Sequence, residues 1–173
     1  MAIPDEKIPL LRDLIRRITG LMSWYQFAGS FEQLPHWYSR LLTSLLLALG
    51  DGPIDYVTGR RAADKPGDGE LFILTSELVV RAVLEPTSSP RESGFTISIV
   101  PRSDLESFGV TGSNAPITKD PFPEWPGEVT YTLKYARNDN TIKIPMDTIG
   151  ATSESRKEVL DLLDGFRKDL LAR

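Results

Sequence analysis

The fold is decided by two apolar runs that follow each other in the middle of the chain. The sequence there is Glu70-Leu-Phe-Ile-Leu-Thr-Ser-Glu-Leu-Val-Val-Arg-Ala-Val-Leu84, and only Thr75-Ser-Glu77 interrupts the apolar character. β-Branched and aromatic residues on both sides of a short polar interruption are typical of a β-hairpin. A third run, Phe95-Thr-Ile-Ser-Ile-Val100, leads into a polar step that begins at Pro101. We therefore predict an antiparallel sheet that opens with these strands.

Further strands are predicted on both sides of this stretch. Apolar residues occupy every second position of 129–135 and again of 142–146, an alternation that indicates a hairpin with one buried face. Residues 54–58 are predicted as the first strand, followed by a polar loop over 59–69. The segment 111–127 contains four prolines and is predicted as a long loop outside the sheet.

Three amphipathic helices are predicted around the strands. Apolar residues recur at three- and four-residue spacing over three ranges, namely 5–19, 35–49 and 155–171. At the start of the last helix, Ser155 and Glu158 have the spacing of a capping box. Gly165 lies inside this helix, where glycine costs about 1 kcal/mol relative to alanine and often marks the close approach of a neighbouring element.

Length and composition limit the possible functions. A chain of 173 residues with 40% hydrophobic and 25% charged residues is typical of one soluble domain. The chain contains no cysteine, which excludes disulfides and cysteine nucleophiles. A net charge of −4 argues against a nucleic-acid partner. The N-terminus shows no signal-peptide pattern and no apolar run approaches the roughly 20 residues of a membrane span, so we expect a cytoplasmic protein.

The order of elements predicts an α+β fold rather than alternating βαβ units. The string Gly69-Glu-Leu-Phe-Ile-Leu-Thr75 followed by Leu78-Val-Val-Arg-Ala82 resembles the second and third strands of bacterial pleckstrin-homology-like and GRAM-type domains. The step from Ile99 to Phe108 is also similar to a segment of those domains. The resemblance covers about 54–171 and implies a curved antiparallel sheet or partly open barrel, capped by the C-terminal helix. Residues 1–50 would then be a helical N-terminal extension within a single domain over 1–173.

The resemblance also implies a place for a ligand. In lipid-binding members of this superfamily the ligand lies near the loop after the first strand. Here that loop carries Arg60, Arg61 and Lys65, and Arg81 on the third strand is a possible neighbour. Arginine binds phosphate oxygens in a bidentate fork, so the resemblance implies weak binding of an anionic headgroup or phosphate. The turn Ser76-Glu77 lacks the basic residue often found there, and a solvated charged loop is the alternative.

Aromatic residues suggest a protein partner instead. Phe122 and Trp125 lie in the proline-rich segment, where large apolar side chains must either fold back or contact a partner. We predict these two residues as an interface. A second group of candidates, although such clusters more often form a core, comprises Trp24, Tyr25, Phe27, Phe31, Trp37 and Tyr38.

The case for catalysis is weak. His36 is the only histidine, and carboxylate pairs occur at Asp104 with Glu106 and at Asp161 with Asp164. Glycine-rich phosphate loops, nucleophile elbows and zinc-protease motifs do not occur in the sequence. We therefore predict a non-catalytic binding or adaptor protein without metal or cofactor, whose protein partner and oligomeric state the sequence does not specify. Binding to an anionic membrane surface is the first alternative, and a hydrolase-like enzyme is the second.

Overall fold

The computed structural model describes residues 3–21, 36–61, 69–85, 94–112, 128–136, 141–146 and 153–172. The fold is α+β, and the chain divides into two compact units, Met1–Pro101 and Arg102–Arg173. The α-helices are α1 Ile8–Thr19, α2 His36–Leu49 and α3 Ser153–Leu171. The strands are β1 Ile54–Arg61, β2 Gly69–Thr75, β3 Leu78–Glu85, β4 Gly94–Pro101, β5 Leu105–Gly112, β6 Val129–Tyr135 and β7 Ile142–Ile144. Short 3₁₀-helices cover Asp5–Lys7 and Arg102–Asp104.

The first unit contains a four-stranded antiparallel sheet with the order β1-β2-β3-β4. The hairpin between β2 and β3 turns at Ser76 and Glu77, as the sequence predicts. Thr75 stabilises this turn, because its Oγ1 accepts hydrogen bonds from the backbone N–H groups of Leu78 at 2.9 Å and Glu77 at 3.3 Å. Such local side-chain bonds satisfy backbone donors that no strand partner reaches.

Helices α1 and α2 pack on one face of this sheet. The predicted apolar side of α2 is confirmed, since its buried residues include Tyr38, Leu41, Leu42, Leu45, Leu46 and Leu49. They form one core with Leu14 and Ile18 of α1 and with the sheet residues Val57, Leu71, Ile73, Val80, Ala82 and Leu84. Helix α2 ends before Gly50, whose φ of 66° lies in the left-handed region that favours glycine.

The second unit consists of a three-stranded antiparallel sheet, ordered β5-β6-β7, and helix α3. The alternation predicted for β6 is confirmed, because its four apolar residues are buried and the residues between them are half-buried or exposed. Phe166 of α3 packs edge-on against Tyr131 of β6, with 5.4 Å between ring centroids. The ring centroid of Phe108 of β5 lies 6.1 Å from that of Phe166.

An ion pair between a buried arginine and a half-buried aspartate also joins α3 to the start of the second unit. Arg102 donates from Nε and Nη2 to Oδ2 of Asp169, both at 2.8 Å, and its guanidinium lies 5.9 Å from the Phe166 ring centroid. A Cβ at Gly165 would lie 2.7 Å from Arg102 Nη2. The expectation that Gly165 marks a close approach is therefore confirmed, and the neighbour is this guanidinium.

Several expected boundaries are wrong. Strand β1 continues to Arg61 instead of ending at residue 58, because Arg60 pairs across the ladder with Glu70. Strand β5 includes Thr111 and Gly112, which the sequence assigns to the following loop, because its ladder with β6 extends to Gly112. The local sequence of these residues does not reveal a cross-strand partner far along the chain.

Two further expectations need correction. Helix α3 begins at Ser153, so Ser155 lies inside its first turn and is not the N-cap; spacing alone does not determine which residue leaves the helical conformation. Strand β7 ends at Ile144 rather than near Met146, because Pro145 has no N–H for the ladder. Among the described residues, the strands form two unclosed sheets rather than one continuous sheet. The single-domain assignment stays a prediction.

Within the described ranges, no helix combines the length and the apolar character that a bilayer span requires.

Candidate functional site

Two of the predicted ligand-binding arginines converge on one glutamate in the first unit. Arg60 of β1 lies opposite Glu70 of β2 in the ladder, and Arg81 of β3 reaches the same carboxylate from the other side. Arg81 Nε lies 2.5 Å from Glu70 Oε1, and Arg60 Nη2 lies 3.6 Å from Oε2. Arg60 and Arg81 thus share the Glu70 carboxylate, an acidic residue that the sequence prediction did not include.

The glutamate changes the electrostatics of this cluster. The Arg81 side chain is only 19% exposed and its charge is offset by the Glu70 carboxylate. Arg60 carries the excess positive charge, with 71% of its side chain exposed. An anion that approaches Arg60 meets bulk water on one side and the Glu70 carboxylate on the other, and both weaken the attraction.

The other predicted binding residues are not brought to this cluster. Arg61 ends β1, but its side chain lies outside the described part of the structure. Lys65 and the interface candidates Phe122 and Trp125 lie outside the described residues altogether, as does the proline-rich segment over 113–127.

The acid–base candidates are divided between the two units. His36 is exposed at the start of α2 in the first unit, whereas Asp104 and Glu106 belong to the second unit. Glu106 is paired with Lys134 at 2.9 Å, and Asp164 with Arg167 at 3.1 Å. Over the ranges that the structure describes, no three His, Asp or Glu residues form a group that could hold a metal ion.

The most distinctive surface of the first unit is the outer edge of β4. In the described part of the chain only β3 pairs with this strand, in a regular ladder without a register shift. The sequence Gly94-Phe-Thr-Ile-Ser-Ile-Val-Pro101 contains no charged residue. Thr96 and Ser98 are exposed on one side, and Ile99 is 48% exposed on the other.

Strand β1, at the other edge of the same sheet, is different. Its ladder has a register shift between Ile54 and Tyr56, and Arg60 places a charge on it. Bulges and charged side chains are the devices by which proteins prevent unwanted pairing at sheet edges.

The edges of the second sheet carry such devices as well. Strand β5 has a register shift between Leu105 and Ser107 and the charged residue Glu106. Strand β7 is three residues long, contains Lys143 and is followed by Pro145. Among the described edges, β4 alone is long, regular and uncharged, with a proline only at its last position.

Sequence reasoning missed this surface even though it predicted the strand. Strand order within a sheet depends on pairing partners, so the sequence of β4 does not reveal that one of its sides is open. One signal was available: Phe95–Val100 is a run of apolar and hydroxyl side chains without any charge, which is the composition that edge strands normally avoid.

No family model, curated protein or solved structure matches the chain.

Proposed function

We propose that this protein is a non-catalytic, cytoplasmic recognition module that binds another protein through the open edge of β4. The observation that carries the proposal is the combination of an eight-residue edge strand, a regular ladder and the absence of charge along it. A row of N–H and C=O groups at such an edge is a template for an additional strand. Recognition by strand addition gains affinity from main-chain hydrogen bonds and specificity from alternate side chains.

The exposed side chains of β4 fit this role. An added strand would run beside Thr96 and Ser98 on one face and beside Ile99 on the other. Hydroxyl and β-branched side chains form favourable pairs across antiparallel strands. A partner segment that alternates polar and apolar residues would therefore match both faces of the edge.

We further propose that the fold is pleckstrin-homology-like. Four antiparallel strands, then three, then an amphipathic C-terminal helix agree with the curved sheet and terminal helix that the sequence resemblance implies. The support comes from element order and sequence pattern together. In this proposal helices α1 and α2 are an addition that covers one face of the first sheet.

Site-specific photo-crosslinking in the source cells tests the proposed function. A photoreactive amino acid at Ser98 should give a discrete protein adduct, because this exposed residue would lie beside the added strand. The matched control places the same amino acid at Arg12, which is exposed on α1. Absence of an adduct at Ser98, or the same adducts at both positions, would refute recognition through β4.

Weak binding of anionic headgroups is a second candidate function. The observation in its favour is the exposed Arg60 guanidinium, and the neighbouring Glu70 counts against it. Sedimentation with anionic vesicles at low and high salt tests this candidate. If it holds, an Arg60→Ala, Arg61→Ala double variant loses binding while its melting temperature stays unchanged; equal sedimentation of both proteins excludes these arginines as the site.

A further inference from the structure

We infer that the strand that pairs with β4 is β4 of a second copy of this chain, arranged antiparallel about a two-fold axis at Ile97. This inference rests on the proposed function, because it identifies the partner of the same edge. A two-fold interface uses the same surface on both subunits, so each residue must suit the residue that symmetry places opposite. The β4 sequence can therefore be tested against itself.

The sequence of β4 is self-complementary in this register. With Ile97 opposite its own copy, Phe95 faces Ile99 and Thr96 faces Ser98. Opposite residues in an antiparallel pair point to the same side of the sheet. Apolar side chains thus meet apolar ones on the face that α1 and α2 cover, and hydroxyls meet hydroxyls on the other face.

The neighbouring registers lack this match. A shift by one residue sets Ile97 opposite Ser98 and Thr96 opposite Ile99, and both of these central pairs combine a polar with an apolar side chain. The uncharged sequence of β4 also avoids like charges opposite each other, which destabilise a strand pair. Self-pairing of β1 would instead bring a second charged strand against Arg60 and Arg61.

Introduced cysteines test the register, because the natural chain has none. The Thr96→Cys and Ser98→Cys variants, mixed and mildly oxidised, should form a disulfide-linked mixed dimer in preference to either homodimer, since these positions face each other across the axis. Ile97→Cys should link to itself. The matched control is Val110→Cys, at an exposed position on β5, which should link no faster than random collision allows.

Sedimentation equilibrium of the full chain, over about a hundredfold range of concentration, supplies the second measurement. The wild type should dimerise, and Ile99→Lys should raise the dissociation constant about tenfold or more. Leu160→Lys, at an exposed position on α3, should leave it unchanged. A wild type that stays monomeric would overturn the inference. So would disulfide formation that is faster for Val110→Cys than for the β4 cysteines, or that prefers the cysteine pairs of the register shifted by one residue. If the chain is monomeric yet Ser98 photo-crosslinks to another protein, β4 recognises a foreign segment and only the second copy is wrong.

Discussion

The two units of this protein stabilise their sheets by different physical means. The first unit packs two helices on a four-stranded sheet through a continuous apolar core, and its Arg81–Glu70 ion pair is not part of that core. The second unit has one helix on a three-stranded sheet and places an ion pair inside the contact, with the side chains of Arg102 and Asp169 only 8% and 15% exposed. The comparison shows that the same arginine–carboxylate chemistry carries different consequences, because a buried carboxylate that keeps a second arginine nearby loses less when its first partner is removed.

The largest expected effect is at Arg102. Arg102→Met should lower the free energy of unfolding by about 3 to 5 kcal/mol, since it leaves the Asp169 carboxylate largely buried without its partner. Chemical denaturation measures this change. Arg156→Met, on the exposed face of α3, is the matched control and should change stability by less than about 0.5 kcal/mol. Equal effects of the two substitutions would mean that the ion pair makes no specific contribution to the free energy of unfolding.

The corresponding substitution in the first unit should cost less. Arg81→Met breaks the pair with Glu70 and should destabilise by about 2 kcal/mol, because Glu70 keeps Arg60 nearby. Arg60→Met should cost less than about 0.5 kcal/mol, since that side chain is mostly exposed. A loss at Arg81 as large as that at Arg102 would contradict the comparison between the units.

The effect of Gly165→Ala on the free energy of unfolding should change sign when Arg102 is replaced. In the wild type, the added Cβ crowds a guanidinium that Asp169 holds in place. Overpacking of about 1 to 3 kcal/mol then outweighs a helix-propensity gain of about 1 kcal/mol. In the Arg102→Met background the crowding is gone and the same substitution should stabilise. A double-mutant cycle measures this coupling, and destabilisation of equal size in both backgrounds would show that Arg102 is not the reason for the glycine.

A small effect that depends on pH is expected at Asp13 on α1. Burial raises the pKa of this carboxyl, but hydrogen bonds from Arg16 and Arg17 together with their charges lower it by more, so the net pKa is depressed. A depressed pKa stabilises the fold above the unfolded-state value of about 4, and the contribution is lost as the pH falls through the folded-state pKa. Asp13→Asn should therefore destabilise by about 0.5 kcal/mol at neutral pH. Denaturation near pH 2 should no longer distinguish the variant from the wild type; a difference that persists there must have another cause.

Periodicity predicted those parts of the fold that depend on neighbouring residues. The hairpin around Ser76, the buried side of α2 and the alternation of β6 follow from spacing that the sequence shows directly. The role of Gly165 was also predicted, although its neighbour was not. That neighbour, Arg102, lies far from Gly165 in the sequence, and its partner Asp169 is 67 residues away, so no local pattern connects them.

The candidate site was harder to predict for the same reason. The sequence identified Arg60 and Arg81 but not the carboxylate between them, because the pairing of β1 with β2 is needed to see Glu70 beside Arg60. The open edge depends on which strand has no second neighbour. Both features belong to sheet order, and sheet order is set by contacts between distant segments.

Hydrogen exchange of the backbone amides tests the role of β4 most directly. The outward amides of residues 94–101 should exchange rapidly in dilute protein and become protected in concentrated protein, as a second strand takes up their hydrogen bonds. Residues 105–112 of β5, another eight-residue strand at an end of its sheet in the described part, should show little change. Two results would contradict β4 as the recognition surface. One is amide exchange over 94–101 that changes neither with protein concentration nor with any bound protein, and the other is protection that appears on β5 instead.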